Sequence, residues 1–153
     1  MRILALDLAT QTGWACGAPN ETPEHGTVSF KVARGESGGM LFYWFGDWLS
    51  ALLDTHNPIL VVYERPHLRG RAATEVLVGL QTRVQELCGC RKVDYTFAAP
   101  MTVKKSFCGS GRASKADMLA HARELFGRVE TEDEADALAL WCWAVDKYGK
   151  GMG

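Results

Sequence analysis

Four carboxylates, those of Asp7, Glu64, Asp133 and Asp136, stand where an acid is awkward unless it is used. Asp7 interrupts the apolar run Met1-Arg2-Ile3-Leu4-Ala5-Leu6-Asp7-Leu8, and Glu64 ends a second one, Ile59-Leu60-Val61-Val62-Tyr63-Glu64. Asp133 and Asp136 are three residues apart at the start of an apolar helical stretch, so both can leave one helix face. Charged side chains are rarely buried without partners. Carboxylates converging from two strand ends and a helix start point to a hard divalent cation, Mg2+ or Mn2+, held by oxygen ligands. Each acid also has a structural explanation. Asp7 suits a turn at a strand end, Glu64 can finish an edge strand, and first-turn acids are favoured by the helix dipole.

The elements that must position these acids are legible in outline. Residues 2–8 read as a strand, 9–13 as a turn, 14–17 as the returning strand and 26–32 as a third, alternating strand. Leu41, Phe45, Trp48, Leu49 and Leu52 give a helical period across 40–55, which Asn57-Pro58 breaks before the strand 59–64. A second helix over 72–88 carries Val76, Leu80, Val84 and Leu87 on one stripe, and a short strand at 94–99 ends at Pro100. Lys115 to Phe126 reads as a helix with Ser114 as its N-cap, and the last helix runs from about Asp133 to Tyr148. The order βββαβαβαα predicts an α/β fold with a mixed sheet and helices on both faces.

The 153 residues, 47% of them hydrophobic, suit a single domain over 1–153 with its own core. No apolar stretch is long enough for a bilayer, and Met1-Arg2 leads directly into a strand, so the expected location is cytoplasmic. Five scattered cysteines, with Cys88-Gly89-Cys90 lacking a second ligand pair, read as reduced thiols. The net charge of -1 does not advertise a nucleic-acid binder, but its distribution is uneven. Arg65, His67, Arg69 and Arg71 follow Glu64 without an acid. Six Lys or Arg lie within 101–128, whereas 130–136 holds five acids. An acidic knot between basic segments suits metal at the centre and phosphates at the rim, and it equally describes solvated surface loops of both signs.

In combination these segments resemble the RuvC-type Holliday-junction resolvases of the ribonuclease H-like superfamily, especially small phage-borne members, over nearly the whole chain. Leu4-Ala5-Leu6-Asp7 with Thr12-Gly13-Trp14 is similar to the family's opening strand and turn, and Val61-Val62-Tyr63-Glu64 to its second acidic strand. Two segments are more specific. Lys104-Lys105, Gly109-Ser110-Gly111 and Ala113-Ser114-Lys115 resemble its basic segment, and Asp133-Glu134-Ala135-Asp136-Ala137-Leu138 its closing helix. Ala9 replaces the usual glycine of the first turn, which implies a modest change of turn geometry. His67 or Leu68 occupies the region where cellular members carry an aromatic wedge.

The resemblance implies a ribonuclease H-like mixed five-stranded sheet, three antiparallel strands then two parallel ones. It also implies a metal-dependent endonuclease that resolves Holliday junctions and other branched DNA by paired symmetric nicks. Two Mg2+ ions about 4 Å apart, with Mn2+ able to substitute, would be held by Asp7, Glu64, Asp133 and Asp136. Lys115, and by resemblance Lys104, would face the scissile phosphate. Arg65, His67, Arg69, Arg71, Lys105 and Arg112 would grip the DNA backbone without reading bases. Glu132 and Glu134 are expected to be bystanders. A four-way junction has near two-fold symmetry, so a homodimer is expected, with Leu77, Leu80 and Val84 a candidate surface that serves core packing equally well. A phage-encoded member would act in the host cytoplasm. Two other readings share much of this pattern: a ribonuclease H-like enzyme acting on RNA or RNA–DNA hybrids, and a junction-binding protein without chemistry.

Overall fold

A computed structural model describes residues 1–65 and 70–151. Its sheet has the order β3-β2-β1-β4-β5, built from β1 (Ile3–Asp7), β2 (Gln11–Gly17), β3 (Glu24–Ser29), β4 (Leu60–Glu64) and β5 (Asp94–Ala98). The first three strands are antiparallel, while β4 runs parallel to β1 and β5 parallel to β4. This is the expected mixed α/β sheet. Parallel central strands need cover on both faces, which is why β1 and β4 are continuous apolar runs. Alternation divides their side chains between two cores. Ile3, Ala5, Leu60 and Val62 pack under α3 (Pro100–Cys108), α4 (Lys115–Phe126) and α5 (Glu132–Tyr148). Leu4, Leu6, Val61 and Tyr63 pack under α1 (Gly39–His56) and α2 (Arg71–Arg91).

Three local features depart from the sequence expectation. The ladder of β2 begins at Gln11 rather than Trp14, pairing Gly13 with Asp7, and the chain reverses over Leu8, Ala9 and Thr10. The Thr12 hydroxyl closes that reversal by donating to the Ala9 carbonyl at 2.7 Å. Strand β3 is displaced toward the N-terminus because Glu24 already pairs with Cys16, and the Phe30 N–H turns to the Thr10 carbonyl at 2.8 Å. The third departure is α3, where Pro100 starts a helix instead of merely ending a strand. Proline suits the first helical turn, whose N–H groups have no intrahelical acceptor. Val103 and Phe107, one turn apart, are both buried, and Gly109 at φ +79° closes the helix with its N–H on the Lys105 carbonyl.

The candidate dimer stripe is not a free surface. Leu80 and Val84 are fully buried beneath α2 with Cys88, while Leu77 lines the cleft described below. The stripe is occupied because α2 must cover the parallel half of the sheet. All five cysteines are free thiols. Among the described residues no helix is long and apolar enough to cross a membrane.

Candidate active site

Asp7 and Glu64 are the last residues of two adjacent parallel strands, whose register pairs Leu6 with Tyr63. Both carboxylates therefore leave the same edge of the sheet. Helix α5 brings the other pair to that edge because its first turn lies against β2. A Cβ on Gly13 would sit 2.0 Å from the Asp133 carbonyl oxygen, so only glycine lets the helix come this close. Thr131 caps α5 by accepting from the Glu134 N–H at 3.1 Å, and its hydroxyl meets that of Thr27 on β3 at 2.7 Å. Gln11 on β2 donates to the Asp133 carboxylate at 3.0 Å. Sequence reasoning missed Gln11 by placing it in a turn. In the longer β2, its position two residues before Gly13 puts both on one face.

Asp7, Glu64, Asp133 and Asp136 line a single cleft of about 250 Å³, with Lys104 and Lys115 on its wall. The electrostatics are those of crowded anions. Burial first, then the charges of Asp136, Glu64 and Asp133, hold the Asp7 carboxyl well above the usual carboxylate range, and a hydrogen bond to Asp133 adds to this. Glu64 is pushed up to about 7 by burial and by Asp136, against the opposing pull of Lys104 and Lys115. Asp136 is raised to about 6, chiefly by burial, with Lys115 and Lys104 again opposing. Lys115 opens α4 beneath a reciprocal cap, in which Ser114 and Asp117 exchange hydrogen bonds of 2.9 and 3.1 Å. Its ammonium lies 3.9 Å from Glu132.

The remaining basic residues spread outward from the cleft. Arg65 lines it beside Glu64. Lys105 and Arg112 share a separate surface cavity where α3 ends, and Arg71 opens α2 next to another. His67 and Arg69, like Leu68, lie outside the described residues. Glu134 does not line the cleft but has a structural place. Its side chain is buried, it accepts the Glu130 N–H at 2.8 Å and it lies 3.7 Å from His25 on β3. Helical geometry turns it away from Asp133 and Asp136 toward the sheet, where it secures the start of α5.

Among the described residues no three acidic, histidine or cysteine side chains form a ready-made metal cage. The donor chemistry nonetheless fits a hard divalent ion. Among the described residues neither histidine nor cysteine lines the cleft, every acid there offers carboxylate oxygen, and the burial and mutual repulsion that raise Asp7, Glu64 and Asp136 are what a cation relieves.

No family model matches the chain. A mixed five-stranded sheet of this order with helices on both faces is a ribonuclease H-like fold, and the relatives narrow that class. The chain is 32% identical over 149 residues to the crossover junction endodeoxyribonuclease RuvC of Halorhodospira halophila, covering 90% of this chain and 86% of that protein. To RuvC of Corynebacterium diphtheriae it is 32% identical over 129 residues, covering 80% and 73%. It spans less of RuvC from Corynebacterium jeikeium, 64% of its length at 35% identity. In a structure titled T. thermophilus RuvC in complex with Holliday junction substrate, the fold matches with a TM-score of 0.83 at 20% identity, covering 99% of this chain and 96% of that one. The yeast mitochondrial Holliday junction resolvase Ydc2 matches at 0.66 with 15% identity, covering 97% and 82%. The chain belongs to the RuvC family of crossover junction endodeoxyribonucleases.

Proposed function

We propose that this chain is a divalent-metal-dependent endonuclease that resolves Holliday junctions, and cuts other branched DNA, by paired nicks. One observation carries the reading. In a chain of the RuvC family, four carboxylates from β1, β4 and α5 line one cleft with two lysines on its wall. Asp7, Glu64, Asp133 and Asp136 are the residues that would hold Mg2+ or Mn2+. A bound ion of this kind supplies an activated water and neutralises charge on the leaving oxygen. The protein's own groups do the rest. Lys104 and Lys115, already acting on Glu64 and Asp136 across the cleft, offset charge that builds on a phosphate placed there. Arg65 at the cleft and Arg71, Lys105 and Arg112 beyond it lie outward from the acids, which suits contacts to successive backbone phosphates.

The described residues of one chain form one such cleft, and symmetric resolution needs two, so the working form is a homodimer. The reaction takes place where intracellular DNA is handled, in the cytoplasm. Incubation with four-way junction, Y-form, duplex and RNA–DNA hybrid in Mg2+ tests the reading. Labelled junctions should yield 5′-phosphate products from opposing strands, and sedimentation should report about twice the 16.8 kDa chain mass. A monomer that degrades hybrid and ignores junctions would transfer the chain to RNA processing, and junction binding without cleavage would make it a scaffold.

A further inference from the structure

Arg65, one of the proposed phosphate contacts, has its guanidinium over an exposed aromatic ring beside the cleft. Arg65 follows Glu64, and its backbone N–H donates to the Ala98 carbonyl at 2.8 Å, which pins its Cα to the end of β5. Its guanidinium carbon stands 4.7 Å from the centre of the Phe97 ring, within cation–π range. Phe97 is 46% exposed and is backed by the Tyr63 ring at 6.3 Å. Tyr63 is buried, and Gln85 donates to its hydroxyl at 3.0 Å. A stack therefore runs from solvent into the core: guanidinium, phenyl ring, anchored phenol.

This guanidinium is not spent on a neighbour. Arg65 enters none of the ion pairs formed among the described residues. The cations acting on the Glu64 carboxylate are Lys104 and Lys115. A guanidinium placed over a ring spends no N–H group on it and keeps those donors for a phosphate, which it can grip with two parallel hydrogen bonds. We propose that Phe97 is a positioning residue that holds Arg65 as a preset clamp on a DNA phosphate flanking the scissile one. The clamp rests on the reading of this chain as a branched-DNA nuclease. It adds a residue on β5 that touches neither the metal ligands nor the scissile group.

A double-mutant cycle on the full chain tests it, using a labelled four-way junction in EDTA for affinity across a salt series and Mg2+ for single-turnover rates. Arg65→Ala should weaken binding about tenfold and lower the salt slope by about one, as loss of one phosphate contact does. Phe97→Ala should weaken binding about fivefold, and the double variant should bind no worse than Arg65→Ala, because coupled residues are not additive. Phe97→Leu, which keeps apolar volume but no ring face, should behave as Phe97→Ala, and Phe97→Tyr should restore affinity. Tyr95→Ala is the control. Tyr95 is on the same strand and face and is 44% exposed, but its ring is not the one under Arg65. Additive losses, a harmless Phe97→Leu, or a loss traced by sedimentation to a broken dimer would each overturn the clamp. A wild-type chain that binds no branched DNA would refute the functional reading instead, and that result is visible before any variant is made.

Discussion

Replacing Glu64 by Gln should stop cleavage and yet stabilise the metal-free protein at alkaline pH. Burial and the charge of Asp136 raise the Glu64 carboxyl from 4.5 to about 7. Each pKa unit between folded and unfolded states corresponds to about 1.4 kcal/mol, so the whole shift would amount to about 3 kcal/mol. Glu64 is partly exposed and shares its field with other acids, which reduces the figure for a single substitution to about 2 kcal/mol. The sign follows from the direction of the shift. A carboxyl whose folded value lies above its unfolded value contributes stability in full below about 4.5, and loses it as pH rises through about 7. In EDTA the wild type should therefore weaken between pH 5 and pH 8, and Glu64→Gln should lack that component. Urea titrations followed by tryptophan fluorescence, run at several pH values, give the difference directly. The variant should be more stable by about 2 kcal/mol at pH 8, with the gap shrinking toward zero at pH 5 and below. Saturating Mg2+ should narrow or reverse the gap, because the wild type gains binding energy that the variant forfeits. Parallel pH profiles for the two proteins, or a variant less stable at pH 8, would refute the account of the cleft as a cluster of repelling carboxylates.

Asp7→Asn should abolish junction cleavage in Mg2+ while leaving junction affinity equal or slightly higher, since it removes a ligand charge without changing volume; gel shifts and denaturing gels separate the two. Asp133→Asn and Asp136→Asn should show losses of similar order in the same assays. Lys115→Ala should lower the single-turnover rate more than the affinity, because its charge acts within the cleft on Glu64 and Asp136; a pure affinity loss at unchanged rate would make it a backbone contact. Glu134→Ala should lower stability by about 2 kcal/mol, as expected when a buried hydrogen-bonding partner is removed, here the acceptor of the Glu130 N–H, and thermal melts should show Glu134→Gln losing less.

Much of the site could be read from residue order, and the reason is local. A carboxylate that terminates an apolar strand, or a pair three apart on a helix, declares its position through short-range pattern alone. Apolar runs 3–6 and 60–63 had to be central strands, and Ser114 before Lys115 had to begin a helix, because each depends on neighbours within a turn or a strand. Long-range packing decided the rest. Pro100 carries the same signal whether it ends a strand or opens a helix, and only the burial of Val103 and Phe107 against the sheet selects the helix. Leu80 and Val84 formed a stripe that suited a partner or a core, and the position of α2 over β4 assigned them to the core. Glu134 looked like one more first-turn acid until the contact of α5 with β2 and β3 turned it inward to Glu130 and His25. The stack of Arg65 on Phe97 has no sequence signature, because the two residues are 32 positions apart and meet only through the parallel register that pairs Tyr63 with Phe97.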